Sequence, residues 1–214
     1  MLRIPVMIWV VATRNQGKTS EIRSLLNNFP IEIKNLNDFG KIPEVEETGN
    51  TFEENAYLKA SFTSRILGIP ALADDSGLVV DVLNGAPGIH SARYGGPDTT
   101  DMQNYMKLLE AMKDQPNRHA RFECVISIAI PQGQALTYEG RCEGIISEKP
   151  MGIHGFGYDP VFFYPPLNKT FAELTLEEKN QVSHRALALK QIQQECDKIL
   201  IWIKKHTLPH EKDF

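Results

Sequence analysis

The sequence predicts an α/β protein with a mixed β-sheet flanked by helices. Short apolar runs that end in polar turn residues predict strands, and apolar residues at helical spacing predict the helices between them. The elements begin in the order strand–helix–strand and later include two strands joined by a short turn. The first arrangement is typical of parallel pairing and the second of antiparallel pairing, so a purely parallel, doubly wound sheet is not expected.

The N-terminal part of the chain supplies the strand–helix–strand unit. We predict its elements at residues 8–12, 18–29 and 31–36. A polar loop follows and leads to a second helix over about 52–67, because Thr51 and Glu54 have the T-x-x-E spacing of a capping box.

The middle of the chain is predicted to contain two short strands, a loop and a helix. Short strands are expected at 71–73 and 78–82, since the intervening "DDSG" has the composition of a turn. A loop rich in glycine and proline comes next. A helix is then predicted over 101–112, with Thr100 and Gln103 as its capping residues.

The C-terminal part begins with a predicted antiparallel hairpin, whose strands 121–130 and 136–143 are joined by "PQGQA". A strand over 161–164 and a largely helical segment over 177–205 complete the pattern. We interpret residues 1–214 as one domain with a core over 7–206 and a polar tail over 207–214.

Composition restricts the class of protein. Of the 214 residues, 42% are hydrophobic and 23% are charged, which is typical of a soluble globular protein. The net charge of −4 argues against nucleic acid as a partner, because broad backbone binding needs a basic face. The apolar run over 4–12 is far shorter than the ~20 residues of a membrane helix. Three cysteines without a CxxC pair favour a reducing compartment, so we expect a cytoplasmic protein with buried thiols.

The stretch "VVATRNQGKTSEI" is similar to a phosphate-binding P-loop, with Gly17, Lys18 and Thr19 at the required spacing. Ala12, however, stands where the first glycine of that motif belongs. Two other interpretations are a plain strand–turn–helix with a solvated lysine, or a strand–turn–helix whose amides, Asn15 and Lys18 hold phosphates. Helix N-termini accept anions through unpaired N–H groups and the helix dipole.

Two pairs of carboxylates are candidate metal ligands. Asp74 and Asp75 follow an apolar strand, where adjacent buried carboxylates are costly unless a cation or hydrogen-bond donors neutralise them. Glu46 and Glu47 lie in a loop before a helix. Oxygen ligands point to magnesium rather than zinc. The alternatives are an Asx-type turn for the aspartates and water-facing side chains for the glutamates.

Two further motifs fit the recognition of a flat ring. The loop "GFGYDP" offers Phe156 for stacking and Asp159 beside it, although it could equally be a hydrophobic loop anchor. Lys179, His184 and Arg185 come together near a helix start that Ser183 could cap. A solvated helix face is the alternative for these charges.

Taken together, six segments in this order resemble the inosine triphosphate pyrophosphatase family. They are "ATRNQGK", "EETGNTFEENAYLKA", "ALADDSGLVVDVLNGAPGIHSARYGG", "ARFECV", "GFGYDPVFF" and "ELTLEEKNQVSHRALAL". The resemblance covers roughly residues 8–205. It implies an elongated, two-lobed α/β fold with the active site in a cleft between the lobes, and a homodimer. It also implies hydrolysis of ITP, XTP or dITP to the monophosphate and pyrophosphate with Mg²⁺.

The resemblance also implies roles for individual residues. Asp75 is the implied general base, and Glu46 with Asp74 or Asp75 would hold the metal. The implied contacts to the nucleoside triphosphate are Thr13, Arg14, Asn15, Gln16, Gly17, Lys18, Ser76, Phe156, Gly157, Tyr158, Asp159, Lys179, His184 and Arg185. Three features depart from the family pattern: Arg14 where a small residue is common, His90 where a bulkier apolar residue is expected, and extra sequence before Met7, which could be the true start.

Selectivity for deaminated purines sets a physical demand on these residues. A preference of about 1000-fold over ATP corresponds to about 4 kcal/mol. Stacking on Phe156 cannot supply it, because every purine has a ring face. Donors aimed at the 6-keto oxygen can supply it. The candidates are Lys179, His184 and Arg185, and Arg185 is the first choice for its fixed fork of N–H groups. Two other functions remain as alternatives to a nucleoside triphosphate pyrophosphatase: a P-loop phosphotransferase and a non-catalytic nucleotide sensor.

Overall fold

The computed structural model describes residues 6–43 and 45–207, which form seven β-strands and five α-helices. The strands are β1 Met7–Val11, β2 Ile31–Asn35, β3 Ala71–Val80, β4 His119–Ala129, β5 Ala135–Ile146, β6 Phe162–Tyr164 and β7 Lys169–Thr170. The helices are α1 Gln16–Leu26, α2 Phe52–Leu67, α3 Asp101–Ala111, α4 Leu176–Val182 and α5 His184–Thr207. Of the predicted tail over 207–214 only Thr207 is among the described residues, and of the sequence before Met7 only Val6 is.

The strands form one sheet in the order β2-β1-β3-β4-β5-β6-β7. Strand β1 pairs in parallel with β2 and with β3, whereas β6 pairs antiparallel with both β5 and β7. The connection from β4 to β5 is too short for a parallel crossover, which makes this pair antiparallel as well. The predicted mixed sheet flanked by helices is confirmed. No described helix has the length and apolar character needed to cross a membrane.

Strand β3 corrects the prediction of a turn at "DDSG". The segment Ala71–Val80 is one continuous strand, buried at every position except Ser76, which is partly buried. Its neighbours in the sheet are β1 and β4, so pairing on both sides overrides the turn propensity of the sequence. Asp74 and Asp75 therefore lie within a strand and not at its end.

The helix starts follow the sequence closely. Thr100 and Gln103 form the complete capping box of α3, as predicted. At α2 only half of the box is present: Thr51 Oγ1 accepts from Glu54 N at 3.1 Å, while the Glu54 carboxylate accepts from Asn50 N at 2.6 Å. The predicted C-terminal helical segment is broken at Ser183, whose Oγ accepts from Ala186 N at 3.2 Å and so caps α5.

The chain divides into two compact units. Unit 1 comprises residues up to 74, residues 126–138 and residues from 189 onwards; unit 2 comprises 75–125 and 139–188. In unit 1 the buried core includes Trp9, Val10, Ile22 and Leu26, and a cluster of small residues made of Ala12, Ala60, Ala73 and Ala129. The core of unit 2 contains an aromatic cluster, with Phe122, Phe162 and Phe171 in mutual ring contact.

The three cysteines are buried thiols, as their sequence context predicted. Burial raises the pKa of Cys142 to about 12 and that of Cys196 to about 11. A thiol with so high a pKa is a poor nucleophile and metal ligand at neutral pH. These two side chains therefore serve packing rather than chemistry.

Candidate functional site

The first group of candidate residues lies where β1 passes into α1. Asn15 is the N-cap of the helix, and its Oδ1 accepts from Lys18 N at 3.1 Å. Thr13 Oγ1 in turn accepts from Asn15 N at 3.2 Å, which fixes the turn before the helix. The positive end of the helix dipole and the first N–H groups of the helix are thus held in a defined position. This arrangement suits the binding of an anion.

Lys18 and Asp74 form an ion pair within unit 1. Lys18 lies in the first turn of α1, shortly after β1, and Asp74 lies in β3. Strands β1 and β3 are parallel neighbours in the sheet. The Lys18 side chain is 19% exposed and that of Asp74 only 1%. The ammonium therefore neutralises a buried carboxylate and still reaches solvent.

Lys59 belongs to the same group, although the sequence did not single it out. Its Nζ lies 3.0 Å from Glu47 Oε1 and donates to the backbone oxygen of Asp74 at 3.1 Å. Its side chain is only 14% exposed. Asn55 and Thr63, four residues to either side on α2, are both buried, so Lys59 lies on the buried face of this helix. Because both residues are polar, their spacing did not indicate a buried face in the sequence. A lysine on the buried face of a helix is unusual enough to mark a site.

Thr19 shows that the first group is not a P-loop. In a P-loop the corresponding hydroxyl binds Mg²⁺. Here Thr19 is fully buried, donates to Asn15 O at 3.1 Å and accepts from Asn35 Nδ2 at 3.4 Å. The hydroxyl is thus engaged in the interior of unit 1.

Other predicted residues of this segment are more exposed. Arg14 donates to Asn37 Oδ1 at 3.2 Å and to Ile42 O at 3.4 Å, so its guanidinium contacts the loop that follows β2. Gln16 is exposed and Gly17 partly buried in the first turn of α1. Arg14 is therefore occupied by contacts within unit 1, which accounts for its bulk at a position where a small residue was expected.

The predicted metal ligands differ in their surroundings. Asp74 and Asp75 are 6% and 7% exposed, whereas Glu46 is exposed in its loop. Consecutive residues of a strand direct their side chains to opposite faces, so the two aspartates do not form a side-by-side pair. Within residues 6–43 and 45–207, no three His, Cys, Asp or Glu side chains are grouped closely enough to hold a metal ion. The assignment of Glu46, Asp74 and Asp75 to a metal stays a prediction.

The second group of candidate residues lies in unit 2 around the segment Gly155–Asp159, here called the aromatic loop. Asp159 Oδ2 accepts from Phe156 N at 2.9 Å and lies 2.6 Å from Lys179 Nζ. The side chains of Lys179 and Asp159 are 5% and 3% exposed. Gly155 has φ +76°, and a Cβ there would collide with the Asp159 carboxylate. The loop conformation and the buried ion pair therefore depend on each other.

The ring of Phe156 is partly exposed and lies close to two cations. Lys179 Nζ is 4.8 Å and Arg185 Cζ 5.6 Å from its centroid. Distances in this range allow cation–π attraction, which holds a ring and its neighbours in place. The structure thus presents a partly exposed aromatic ring with two cationic hydrogen-bond donors beside it.

His184 and Arg185 occupy the first turn of α5 and are almost fully buried, which excludes a solvated helix face. Arg185 is 2% exposed, and its Nη2 donates to Ser76 Oγ at 3.4 Å. His184 stacks on Phe122, with ring centroids 4.5 Å apart and an interplanar angle of 15°. Ser76, Lys179, His184 and Arg185 are therefore all parts of unit 2, as is Phe156.

Tyr158 is oriented differently from its neighbours in the aromatic loop. It is 4% exposed, and its hydroxyl donates to Ser91 O at 2.8 Å. Burial raises the pKa of this hydroxyl well above its usual value, so it stays protonated and remains a donor. Its side chain anchors the loop in the core of unit 2.

A helix start suited to an anion, two lysines near it, and an aromatic loop with buried cations are features typical of a nucleotide-binding α/β protein. The family follows from the sequence as a whole. The chain belongs to the Ham1 family, whose sequence profile matches residues 9–195. The family resemblance stated above is thereby confirmed.

Individual relatives agree with this assignment. The chain is 59% identical over 200 residues to the dITP/XTP pyrophosphatase of Syntrophobacter fumaroxidans, covering 94% of this chain and 86% of that protein. It is 55% identical to the dITP/XTP pyrophosphatase of Desulfotalea psychrophila, with 95% and 91% coverage. Among solved structures, a HAM1 protein from Coxiella burnetii superimposes with a TM-score of 0.83 at 41% identity, covering 90% of this chain and 99% of that one.

Proposed function

We propose that this protein hydrolyses the non-standard purine nucleoside triphosphates ITP, dITP and XTP to the nucleoside monophosphate and pyrophosphate. The observation that carries the proposal is the Phe156 ring beside the buried cations of Lys179 and Arg185. An aromatic face with fixed donors suits a purine that bears a keto oxygen. The names of the relatives support the same reaction.

The triphosphate is assigned to the first group of residues. The N–H groups of Thr13, Asn15 and Lys18 donate to acceptors within the turn. The proposed backbone donors to phosphate are therefore the amides of Arg14, Gln16 and Gly17, and Lys18 adds a partly exposed ammonium. Lys59 adds a second positive charge beside Asp74. These local charges allow a protein with a net charge of −4 to bind a polyanion.

Magnesium is the proposed cofactor, and the donors of this chain fit it. Mg²⁺ usually takes one or two protein carboxylates and completes its shell with water and substrate phosphates. A cage of three protein ligands is therefore not required. Glu46 and one of the Asp74–Asp75 pair would hold the ion, which would offset the negative charge of the phosphates.

Asp75 is the proposed general base. The family resemblance assigns this role to Asp75, which is 7% exposed in β3 and follows directly on the ion-paired Asp74. The carboxylate of Asp75 would accept the proton of the attacking water, which must lie in line with the leaving pyrophosphate. Lys18 and Lys59 would stabilise the charge that develops on the leaving group.

Selectivity is assigned to the second group of residues. Arg185 is held by burial and by its bond to Ser76, so its N–H groups keep a fixed direction. A 6-keto oxygen can accept from such a donor, whereas a 6-amino group would leave the buried donor unpaired. Gly157, Asp159, Lys179 and His184 complete the proposed base and sugar contacts.

We further propose a homodimer that works in the cytoplasm. The family resemblance supports the dimer. The three buried thiols support a reducing compartment, because disulfides are rare there.

The proposed reaction is tested by measuring pyrophosphate released from ITP, dITP, XTP, ATP and GTP with magnesium. We expect pyrophosphate and monophosphate from ITP, dITP and XTP, with kcat/KM about 1000-fold above that for ATP, because the buried donors reject a 6-amino group. Guanine also bears a 6-keto oxygen, so the rate on GTP measures whether the site rejects its 2-amino group. Equal rates on ITP and ATP would contradict the proposed selectivity. ADP formation with an acceptor would indicate a phosphotransferase, and binding of ITP without turnover would indicate a nucleotide sensor.

Replacing Arg185 by lysine tests the source of selectivity. Arg185→Lys keeps the charge but loses the fixed fork, so we expect the preference for ITP over ATP to fall about 10- to 100-fold, as one charged hydrogen bond would predict. The measurement is kcat/KM for both nucleotides. Arg141→Lys is the control, since Arg141 is exposed and paired with Glu143. A variant with undiminished preference would assign selectivity to Lys179 or His184 instead.

A further inference from the structure

The conformation of the aromatic loop is set by contacts on both sides of Gly157. Phe156 N donates to Asp159 within the loop, at 2.9 Å. The next amide, Gly157 N, donates to Asp101 Oδ2 at 2.7 Å. Asp101 is 56 residues away in sequence and is the first residue of α3. Two consecutive amides of the loop are therefore held by two different carboxylates.

Asp101 is not needed to cap its own helix. Gln103 N donates to Thr100 Oγ1 at 3.3 Å, and Thr100 N donates to Gln103 Oε1 at 2.8 Å. This capping box already satisfies the start of α3. An acidic residue is favoured in the first turn of a helix by the helix dipole. Asp101 can thus direct a charged acceptor to the loop.

The far side of Gly157 is fixed as well. The Tyr158 hydroxyl donates to Ser91 O at 2.8 Å, and Ser91 Oγ accepts from Leu78 N at 2.9 Å. Gly157 itself has φ +62°, a conformation that glycine adopts without strain. Without Asp101, the amide of Gly157 would lose its acceptor. Gly157 directly follows Phe156, so this loss would affect the backbone that carries the Phe156 ring.

We propose that Asp101 is a positioning residue for nucleotide recognition. Its carboxylate holds the Phe156–Gly157 segment in the conformation in which the Phe156 ring receives the purine. The role rests on the proposed function, because it assumes that a purine stacks on Phe156. It concerns binding and not the chemical step, since Asp101 acts through the loop.

Asp101→Ala tests this role. We expect KM for ITP to rise about 10-fold with kcat unchanged, which corresponds to the loss of one hydrogen bond to a charged group. Hydrogen–deuterium exchange of the amides at 156 and 157 should become faster in the variant. Asp101→Asn keeps an acceptor oxygen, so it should restore much of the affinity and of the protection.

Gln103→Ala is the matched control, because it opens the capping box of α3 and leaves the Asp101 carboxylate in place. We expect a lower Tm and an unchanged KM. If Gln103→Ala raises KM as much as Asp101→Ala does, or if Asp101→Ala leaves KM unchanged, Asp101 has no positioning role. A wild-type protein that hydrolyses none of the purine triphosphates would overturn the proposed function itself. Failure of the proposed function and failure of the positioning role of Asp101 are therefore distinguishable.

Discussion

Asp75→Asn is expected to lower kcat for ITP by about 100- to 10 000-fold, the usual contribution of a general base. The amide cannot take the proton of the attacking water, yet it is close to the carboxylate in size, so the strand should be undisturbed. Nucleotide binding should persist, because the proposed base and phosphate contacts are intact. Single-turnover hydrolysis and equilibrium binding of ITP measure the two effects separately.

Asp81→Asn is the control for Asp75→Asn. Asp81 follows β3 directly, but its side chain is half exposed and paired with Arg121 at 3.1 Å. We expect turnover at the wild-type level. Near-normal turnover in Asp75→Asn together with a large loss in Asp74→Asn would move the base from Asp75 to Asp74.

Lys179→Met is expected to reduce the free energy of unfolding by about 3–5 kcal/mol, because it leaves the buried carboxylate of Asp159 without its cation. Cation–π contacts of Lys179 with Phe156 and Phe171, at 4.8 and 5.8 Å, are lost as well. Urea unfolding followed by circular dichroism measures the change. Lys179→Met with Asp159→Leu removes both charges and should recover part of the stability.

Lys169→Met is the matched comparison for Lys179→Met. Lys169 also pairs with an acidic residue, Glu178, at 2.9 Å, but its side chain is 41% exposed and that of Glu178 37%. The hydrogen bond from Lys169 lowers the pKa of Glu178. Solvent screens such a pair, so we expect a much smaller loss of stability. Equal losses in the two variants would show that burial of the Lys179–Asp159 pair is unimportant.

The sequence predicted local features of the fold well, because they depend on neighbouring residues. The capping box of Thr100 and Gln103 and the cap at Ser183 follow from short-range hydrogen bonding, and both are present. The turn at "DDSG" was wrong because pairing of β3 with strands distant in sequence outweighs local turn preference. Local patterns do not contain that information.

The same distinction applies to the candidate site. Motifs identified Lys18, Asp74, Asp159 and Lys179. The ion pairs Lys18–Asp74 and Lys179–Asp159, however, are visible only in the structure. Lys59 was missed because nothing in its immediate sequence differs from a solvated helix residue. Its role depends on the backbone oxygen of Asp74, which belongs to another element.

The division of the chain into two units has a consequence for its genetics. Unit 1 is built from three separate stretches of sequence and unit 2 from two. Neither unit corresponds to an uninterrupted stretch of coding sequence. A single recombination event can therefore not add, remove or exchange one unit alone, and no simple truncation yields either one.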